Sequence, residues 1–355
     1  MSSSTAPVLV TGGSGFIACT LVKALLEDGQ TVHTTVRSLK NQEKTAPLRA
    51  LQQSFPNKLQ LFEADLLKPG SFDSSMVGCS IVHHVASPFR MPERISNGLK
   101  EMVEPALEGV RSVLGSVERT PTVRRVVLTS TVGAIFGTYI DVIEKMENQT
   151  LSEAYFNESS SVEHEPYHYS KVLAEKEAWK IYEAQSPKRW DLVSINPGLV
   201  LGPQITPSSE SGSLFLLNEL ISGQLFFGVP DLSFLLVDIR DVVAAHCSAA
   251  KGSSARGRYI VSHDRTTTFL EMAQILRKQA SGFRRLLIPN HTIPTWLLRI
   301  IGPLFGLDSR FIREHIGIRF SVDNKRCVSE LGVKYTPLEL TLQDHYQSWM
   351  VMRGK

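Results

Sequence analysis

The stretch Val8-Leu9-Val10-Thr11-Gly12-Gly13-Ser14-Gly15-Phe16-Ile17-Ala18 joins an apolar run to a glycine turn and then to a helix. Val8–Thr11 reads as a short buried strand. Phe16, Leu21, Val22, Leu25 and Leu26 then recur on one helical face up to about Asp28, and Gly29 is a suitable stop. Between the two elements, Gly12 permits a tight turn, Gly15 lets backbone approach a pyrophosphate, and Ala18 keeps the helix close to the strand. The free N–H groups at such a helix N-terminus favour an anion. Strand before and helix after is the context that a dinucleotide fingerprint requires, and it makes Gly12, Gly15, Phe16 and Ile17 candidate cofactor-binding residues. No Gly-Lys-Ser/Thr follows, so a P-loop is excluded.

Outward from this turn, strands and helices alternate. Further strands are expected at Thr31–Val36, Leu59–Ala64, Ile81–Ala86, Val123–Leu128 and Leu192–Ile195, with a long helix carrying Val103, Leu107, Val110, Val113, Leu114 and Val117 despite Pro105. That rhythm predicts an α/β fold, a doubly wound parallel sheet of Rossmann type covered on both faces. After Gly202 it changes to a Pro- and Ser-rich loop, a helix near Leu214–Ile221, a strand at Phe234–Val237, a helix from Ile239 to Ala250, and then mostly short helices. The expected division is a dinucleotide-binding domain over residues 1–200, to which 234–262 return, and a smaller, mostly helical substrate-binding lobe over 201–355. The substrate then lies in the cleft at the carboxyl ends of the strands.

Bulk properties exclude several classes. The 355 residues are 42% hydrophobic and 21% charged, ordinary for a globular protein. A net charge of +3 is too small to argue for nucleic acid or an anionic membrane. Cys19, Cys79, Cys247 and Cys327 are scattered without a Cys-x-x-Cys pair, which reads as reduced thiols and neither a disulfide framework nor a metal site. No secretory pattern opens the chain and no run of about 18 apolar residues occurs, so a cytoplasmic protein without a membrane span is expected. Ile293–Leu307, interrupted by Arg299, reads as an amphipathic helix.

The chemistry is carried by strand ends and one helix. Where a carboxylate would hold the ribose hydroxyls of NAD, this sequence has Arg37, with Ser38, Lys40 and Lys44 close behind. Cations there suit the extra phosphate of NADP. Asp65 and Leu66 would border the adenine, and Ala86 and Ser87 the middle of the cofactor. His83 and His84 read as packed, hydrogen-bonded residues of a buried strand. Thr129, Ser130 and Thr131 end the fifth strand, where a hydroxyl can stabilise charge developing on a carbonyl oxygen. Pro197, in Asn196-Pro197-Gly198-Leu199-Val200, removes an N–H and bends the chain, leaving backbone groups for a carboxamide. Tyr167 and Lys171, four apart, lie on one helical face of Ser170–Gln185 and the turn before it. A neighbouring ammonium is expected to lower the pKa of the phenol and let it exchange a proton near neutral pH. Tyr169 has Leu173 four residues on and is the unpartnered phenol.

Taken together, Thr11-Gly12-x-x-Gly15-Phe16-Ile17-Ala18, Thr35-Val36-Arg37, His84-Val85-Ala86-Ser87-Pro88-Phe89, Leu128-Thr129-Ser130, Tyr167-x-x-Ser170-Lys171 and Val237-Asp238-Ile239-Arg240-Asp241-Val242 resemble the extended short-chain dehydrogenase/reductases, nearly end to end. Within them the chain is most similar to the group of dihydroflavonol reductase, cinnamoyl-CoA reductase and yeast methylglyoxal/aldehyde reductases. The resemblance implies NADPH-dependent reduction of a small-molecule aldehyde or ketone by a monomer or homodimer. It makes Tyr167 the general acid and has Lys171 hold the nicotinamide ribose. Thr131 stands where the family usually has its catalytic Ser, which leaves Ser130 as the second candidate. Val200 would contact the cofactor, and Phe89 and Phe136 match apolar substrate-pocket positions. Epimerases and dehydratases of the superfamily are the first rival, but the Thr-Asp-Glu typical of the dehydratases is here Thr131-Val132-Gly133. A hydroxysteroid-type dehydrogenase and a non-catalytic NADP-binding regulator are the second and third.

Overall fold

The computed structural model describes residues 6–88, 95–206 and 211–353. Seven strands form one parallel sheet: β1 (Val8–Val10), β2 (Val32–Val36), β3 (Leu59–Glu63), β4 (Ile81–His84), β5 (Arg125–Thr129), β6 (Asp191–Pro197) and β7 (Gly257–Val261), in the order β7-β6-β5-β4-β1-β2-β3. The chain runs outward from β1 through β2 to β3, then returns to the other side of β1 for β4. That reversal opens a crevice beyond the carboxyl ends of β1 and β4, where ligands of doubly wound sheets bind.

Period-two alternation along these strands supplies two faces. Leu9, Val82, Val126 and Leu128 point to one side, under helices α3 (Glu104–Arg119) and α4 (Pro166–Glu183), with Leu114, Ala178 and Trp190 in the same core. Val8, Val10 and Val32 point to the other, against Leu21, Val22 and Leu25 of helix α1 (Phe16–Glu27). Val127, Val193 and Ile195 on that side meet Val242 and Ala245 of helix α5 (Ile239–Lys251). Each such fully buried Val or Leu contributes about 1.5–3 kcal/mol of burial free energy. Helix α2 (Gln42–Ser54) follows β2. Pro105 follows directly on a π-helical stretch, Leu99–Val103, whose wider turn carries the helix into a residue that has no N–H to donate.

Beyond β6, among the described residues, only Gly257–Val261 joins the large sheet as a strand; Leu236–Asp238 pairs with Leu199–Leu201 in a two-stranded parallel ribbon. Gly198 and Leu199 turn away from β6 there, and the amide of Leu199 bonds the carbonyl of Leu235. The helices Gly212–Ser222, Phe269–Gln279 and Leu338–Arg353 build the lobe around Leu217, Leu220, Phe269, Met272, Leu276 and Trp349. The segment expected as one amphipathic helix over 293–307 is a shorter helix, Thr295–Ile301, followed by a 3-10 turn, Gly302–Phe305. The four cysteines are free thiols, three of them buried. Among the described residues no helix is long and apolar enough to cross a membrane.

Candidate active site

The glycine turn is held by threonines of β2 and of the position just after β1. Thr11 Oγ1 accepts from the amides of Val85 (3.0 Å) and Ala86 (2.9 Å) and lies 3.2 Å from His84 Nδ1, fixing the end of β4 against the end of β1. The Gly12 amide donates to Thr35 Oγ1 at 3.1 Å and the Gly13 amide to the Thr35 carbonyl at 2.8 Å. Gly12 has φ +73°, which glycine adopts without strain. Gly13, to which the sequence motif gives no role, is sterically the tightest of the three: a Cβ there would lie 2.2 Å from Thr34 Oγ1. Gly15 caps α1 without any side-chain hydrogen bond, so the amides of the first turn, including Phe16 and Ile17, have no side chain over them. A Cβ on Gly15 would meet only the Gly12 carbonyl, at 3.3 Å. An uncapped helix start behind close-fitted glycines fits a pyrophosphate.

Around this turn, Arg37 directly follows β2 as an exposed cation with no ion-pair partner among the described residues. Lys44 lies in the first turn of α2, its amide capped by Asn41 Oδ1 at 3.0 Å. Asp65 Oδ1 accepts the Leu67 amide at 3.0 Å, and Leu66 packs against Gly109 of α3. Leu66, Ala86, Ser87, Thr129, Ser130 and Lys171 line a common cleft. His83 and His84 are buried, and burial pushes them down to about 4 and about 3, so both are neutral packing residues. Thr129 Oγ1 meets His246 Nε2 at 2.9 Å, and His246 Nδ1 lies 3.4 Å from His83 Nδ1.

Helix α4 starts at Pro166, four residues earlier than expected, so Tyr167 is already helical and Lys171 is a full turn beyond it. Lys171 Nζ donates to Ser87 Oγ at 2.6 Å and sits 5.6 Å from the centre of the Tyr167 ring. Desolvation pushes the ammonium down to about 8 and the phenol up to about 12. This reverses the sign expected from spacing alone. The burial that disfavours the phenolate outweighs the ammonium, which directs its short hydrogen bond to Ser87.

The two hydroxyls after β5 have different surroundings. Ser130 is buried, and its hydroxyl donates to Glu175 Oε2 at 2.5 Å. Thr131 is half-buried and caps the short 3-10 helix Val132–Ala134: its Oγ1 accepts the Gly133 amide at 3.2 Å and reaches the Pro197 carbonyl only at 3.4 Å. His168 packs on Gly133, where a Cβ would come within 2.4 Å of the ring, so the turn holding Thr131 abuts the residue after Tyr167. Phe136 is 4% exposed and lies in an aromatic cluster with Tyr139, His168 and Phe320. It backs His168 and has little surface left for a ligand. Val200 is likewise buried, paired with Val237 in the two-stranded ribbon. Phe89 lies outside the described residues.

A buried ionic network in the wall of the cleft has no counterpart in the sequence motifs. Glu175, two turns beyond Tyr167 on α4, is 1% exposed. It accepts from Arg258 Nε of β7 at 2.6 Å, from Asn196 Nδ2 of β6 at 2.8 Å and from Ser130. Asn196 Nδ2 also bonds the Thr131 carbonyl at 3.1 Å. Arg258 reaches the carbonyls of Glu153 and Ala134 and stacks 3.9 Å over Phe156. Among the described residues no group of three or more His, Cys, Asp or Glu is arranged to hold a metal.

A dinucleotide-type glycine turn, a Tyr–Lys helix and hydroxyls at the adjoining strand end, on one parallel sheet, define a nucleotide-cofactor oxidoreductase of the short-chain type. Residues 8–261 match the NAD dependent epimerase/dehydratase family, and the chain belongs to that family. It is 32% identical to a cinnamoyl-CoA reductase of Medicago truncatula over 343 residues, 96% of this chain and 94% of that protein. It is 35% identical to an anthocyanidin reductase of Vitis vinifera over 301 residues, 81% and 82% of the two chains. Among solved structures, yeast methylglyoxal/isovaleraldehyde reductase complexed with NADPH superposes with a TM-score of 0.78 at 26% identity, covering 98% of this chain and 99% of that one.

Proposed function

We propose that this chain is an NADPH-dependent reductase of aldehydes or ketones. The observation that carries the reading is the Tyr167–Lys171 pair on α4, locked by Lys171 to Ser87 at the end of β4 and pressed through His168 against the Thr131 turn. NADPH, when bound, supplies the hydride. Gly12, Gly15 and the first turn of α1 hold its pyrophosphate, Arg37 with Lys44 the 2′-phosphate, and Lys171 the nicotinamide ribose. Thr131 donates a hydrogen bond to the substrate carbonyl, and Tyr167 gives the oxygen its proton. A phenol held near 12 stays protonated at neutral pH, which suits a general acid in the reducing direction. Related proteins act on cinnamoyl-CoA, anthocyanidins and methylglyoxal by name, and a carbonyl is the group that a reductase of the first and third would attack. Following NADPH absorbance against aldehydes, diketones and flavonoid-like ketones tests the proposal; no oxidation with any of them would sink it.

Arg37→Ala should weaken NADPH binding by about 10–100-fold, the worth of one charge-assisted hydrogen bond, and leave NADH nearly unchanged. Fluorescence titration with both cofactors reads this directly, and equal affinities in the unmutated protein would refute the role.

Thr131→Ala should lower turnover by about 100–1,000-fold with NADPH affinity retained, while Thr131→Ser keeps substantial activity. Ser130→Ala should lower turnover less, since its hydroxyl is already committed to Glu175. Steady-state kinetics beside thermal melts separate the two; a fully active Thr131→Ala would transfer the role.

A further inference from the structure

The C-terminal lobe exposes large apolar side chains in an unusual charge setting. Phe283 (72% exposed) and Leu286 (65%) stand on the short helix Gly282–Leu287, and Trp296 (66%) and Ile300 (67%) on Thr295–Ile301. The second helix is anchored from beneath by Leu298, which is buried with Ile293 and Ile312, so Trp296 and Ile300, one turn apart, form its outer face. Phe226 (62%) projects from the turn after Gly212–Ser222. That turn touches both helices' segments: a Cβ on Gly223 would lie 3.0 Å from Leu287, a Cβ on Gly228 3.0 Å from Ile293, and Val229 bridges Thr292. One end of the lobe therefore gathers these side chains.

From Met272 to Leu307 the sequence has no Asp or Glu, yet it carries Arg277, Lys278, Arg284, Arg285 and Arg299. None of the five has an ion-pair partner among the described residues; Arg277 spends its guanidinium on the carbonyls of Arg285 and Ile288, and Arg284 lies 5.4 Å over Trp349. Lys278, Arg284, Arg285 and Arg299 are exposed. None of these residues belongs to the cleft described above.

We propose that this face rests on an anionic lipid surface. Aromatic and aliphatic side chains flanked by unpaired Arg and Lys are the composition that lies in a headgroup layer, with the apolar tips in the acyl boundary and the cations on the phosphates. A second copy of the chain fits the same face poorly, because a two-fold contact would set Arg against Arg with no acid in the segment to pair them. The arrangement places the protein on a membrane, not through one.

The test is co-sedimentation of the full chain with vesicles of phosphatidylcholine alone and of phosphatidylcholine mixed with phosphatidylserine. The chain should partition onto the mixed vesicles, and less so as salt rises. Each cation near the surface is worth roughly fivefold in partitioning, so Arg284→Glu with Arg285→Glu should reduce it by about 25-fold or more. Trp296→Ser with Ile300→Ser should release the protein from mixed vesicles. All variants should oxidise NADPH, with whichever carbonyl the unmutated chain accepts, at its rate. Equal partitioning onto both vesicle types, no partitioning onto either, or vesicle binding indifferent to the Arg pair would overturn the proposal. A concentration-dependent dimer dissolved by Trp296→Ser with Ile300→Ser would also overturn it, assigning the face to a second copy.

Discussion

Tyr167→Phe should cut carbonyl reduction by about 100–10,000-fold while NADPH binds as before, and Tyr169→Phe should stay active. The size follows from what is lost. In the proposed mechanism Tyr167 gives the alkoxide its proton, and among the described residues Ser130 is turned to Glu175 and Lys171 to Ser87. The same geometry sets a pH profile. Tyr167 stays protonated up to about 12, whereas Lys171 loses its proton as pH rises through about 8. A neutral amine holds the ribose less firmly, so kcat/KM should be level below about pH 7 and decline above about pH 8. A decline that instead follows the phenol, near 12, would show that Lys171 acts only as a spacer.

Breaking the Glu175–Arg258 pair should cost much stability. Arg258→Met leaves Glu175 as a buried, uncompensated carboxylate, and such a loss is worth about 3–5 kcal/mol. At roughly 2 °C per kcal/mol for a chain of this size, the melting temperature should fall by about 6–10 °C. The double variant Glu175→Leu with Arg258→Met should fall by less than the sum of the single changes, since neither charge is then left alone. Strict additivity in thermal or denaturant melts would show that the two side chains do not act as a pair.

The glycine turn, the alternation of elements and the Tyr167–Lys171 spacing were legible because each rests on local rules: helical period, turn geometry, strand burial. What escaped depends on pairs far apart in the chain. Glu175 and Arg258 look like solvated charges in sequence; only the docking of α4 over β6 and β7 brings them together. Burial also explains the reversed pKa of Tyr167, since spacing reveals the ammonium but not the loss of water. Phe136 reads as a pocket residue by position, while its ring contacts with Tyr139 and Phe320 come from segments that sequence periodicity does not connect. The one clear clue to Glu175 was its place one turn beyond Lys171 on a helix whose Val172, Ala174 and Ala178 are buried.

The order in which the chain leaves the ribosome gives the Glu175–Arg258 pair a further meaning. Every residue assigned to cofactor or proton transfer lies before Leu201, so a nascent chain acquires all of its reactive groups early. The counter-charge for Glu175 arrives only with β7, the last strand of the sheet. Until Gly257–Val261 emerges and docks beside β6, the helix carrying Tyr167 and Lys171 must either hold an unpaired carboxylate in the interior or remain undocked. Docking of β7 thus completes the charge pairing beneath the helix that carries Tyr167 and Lys171.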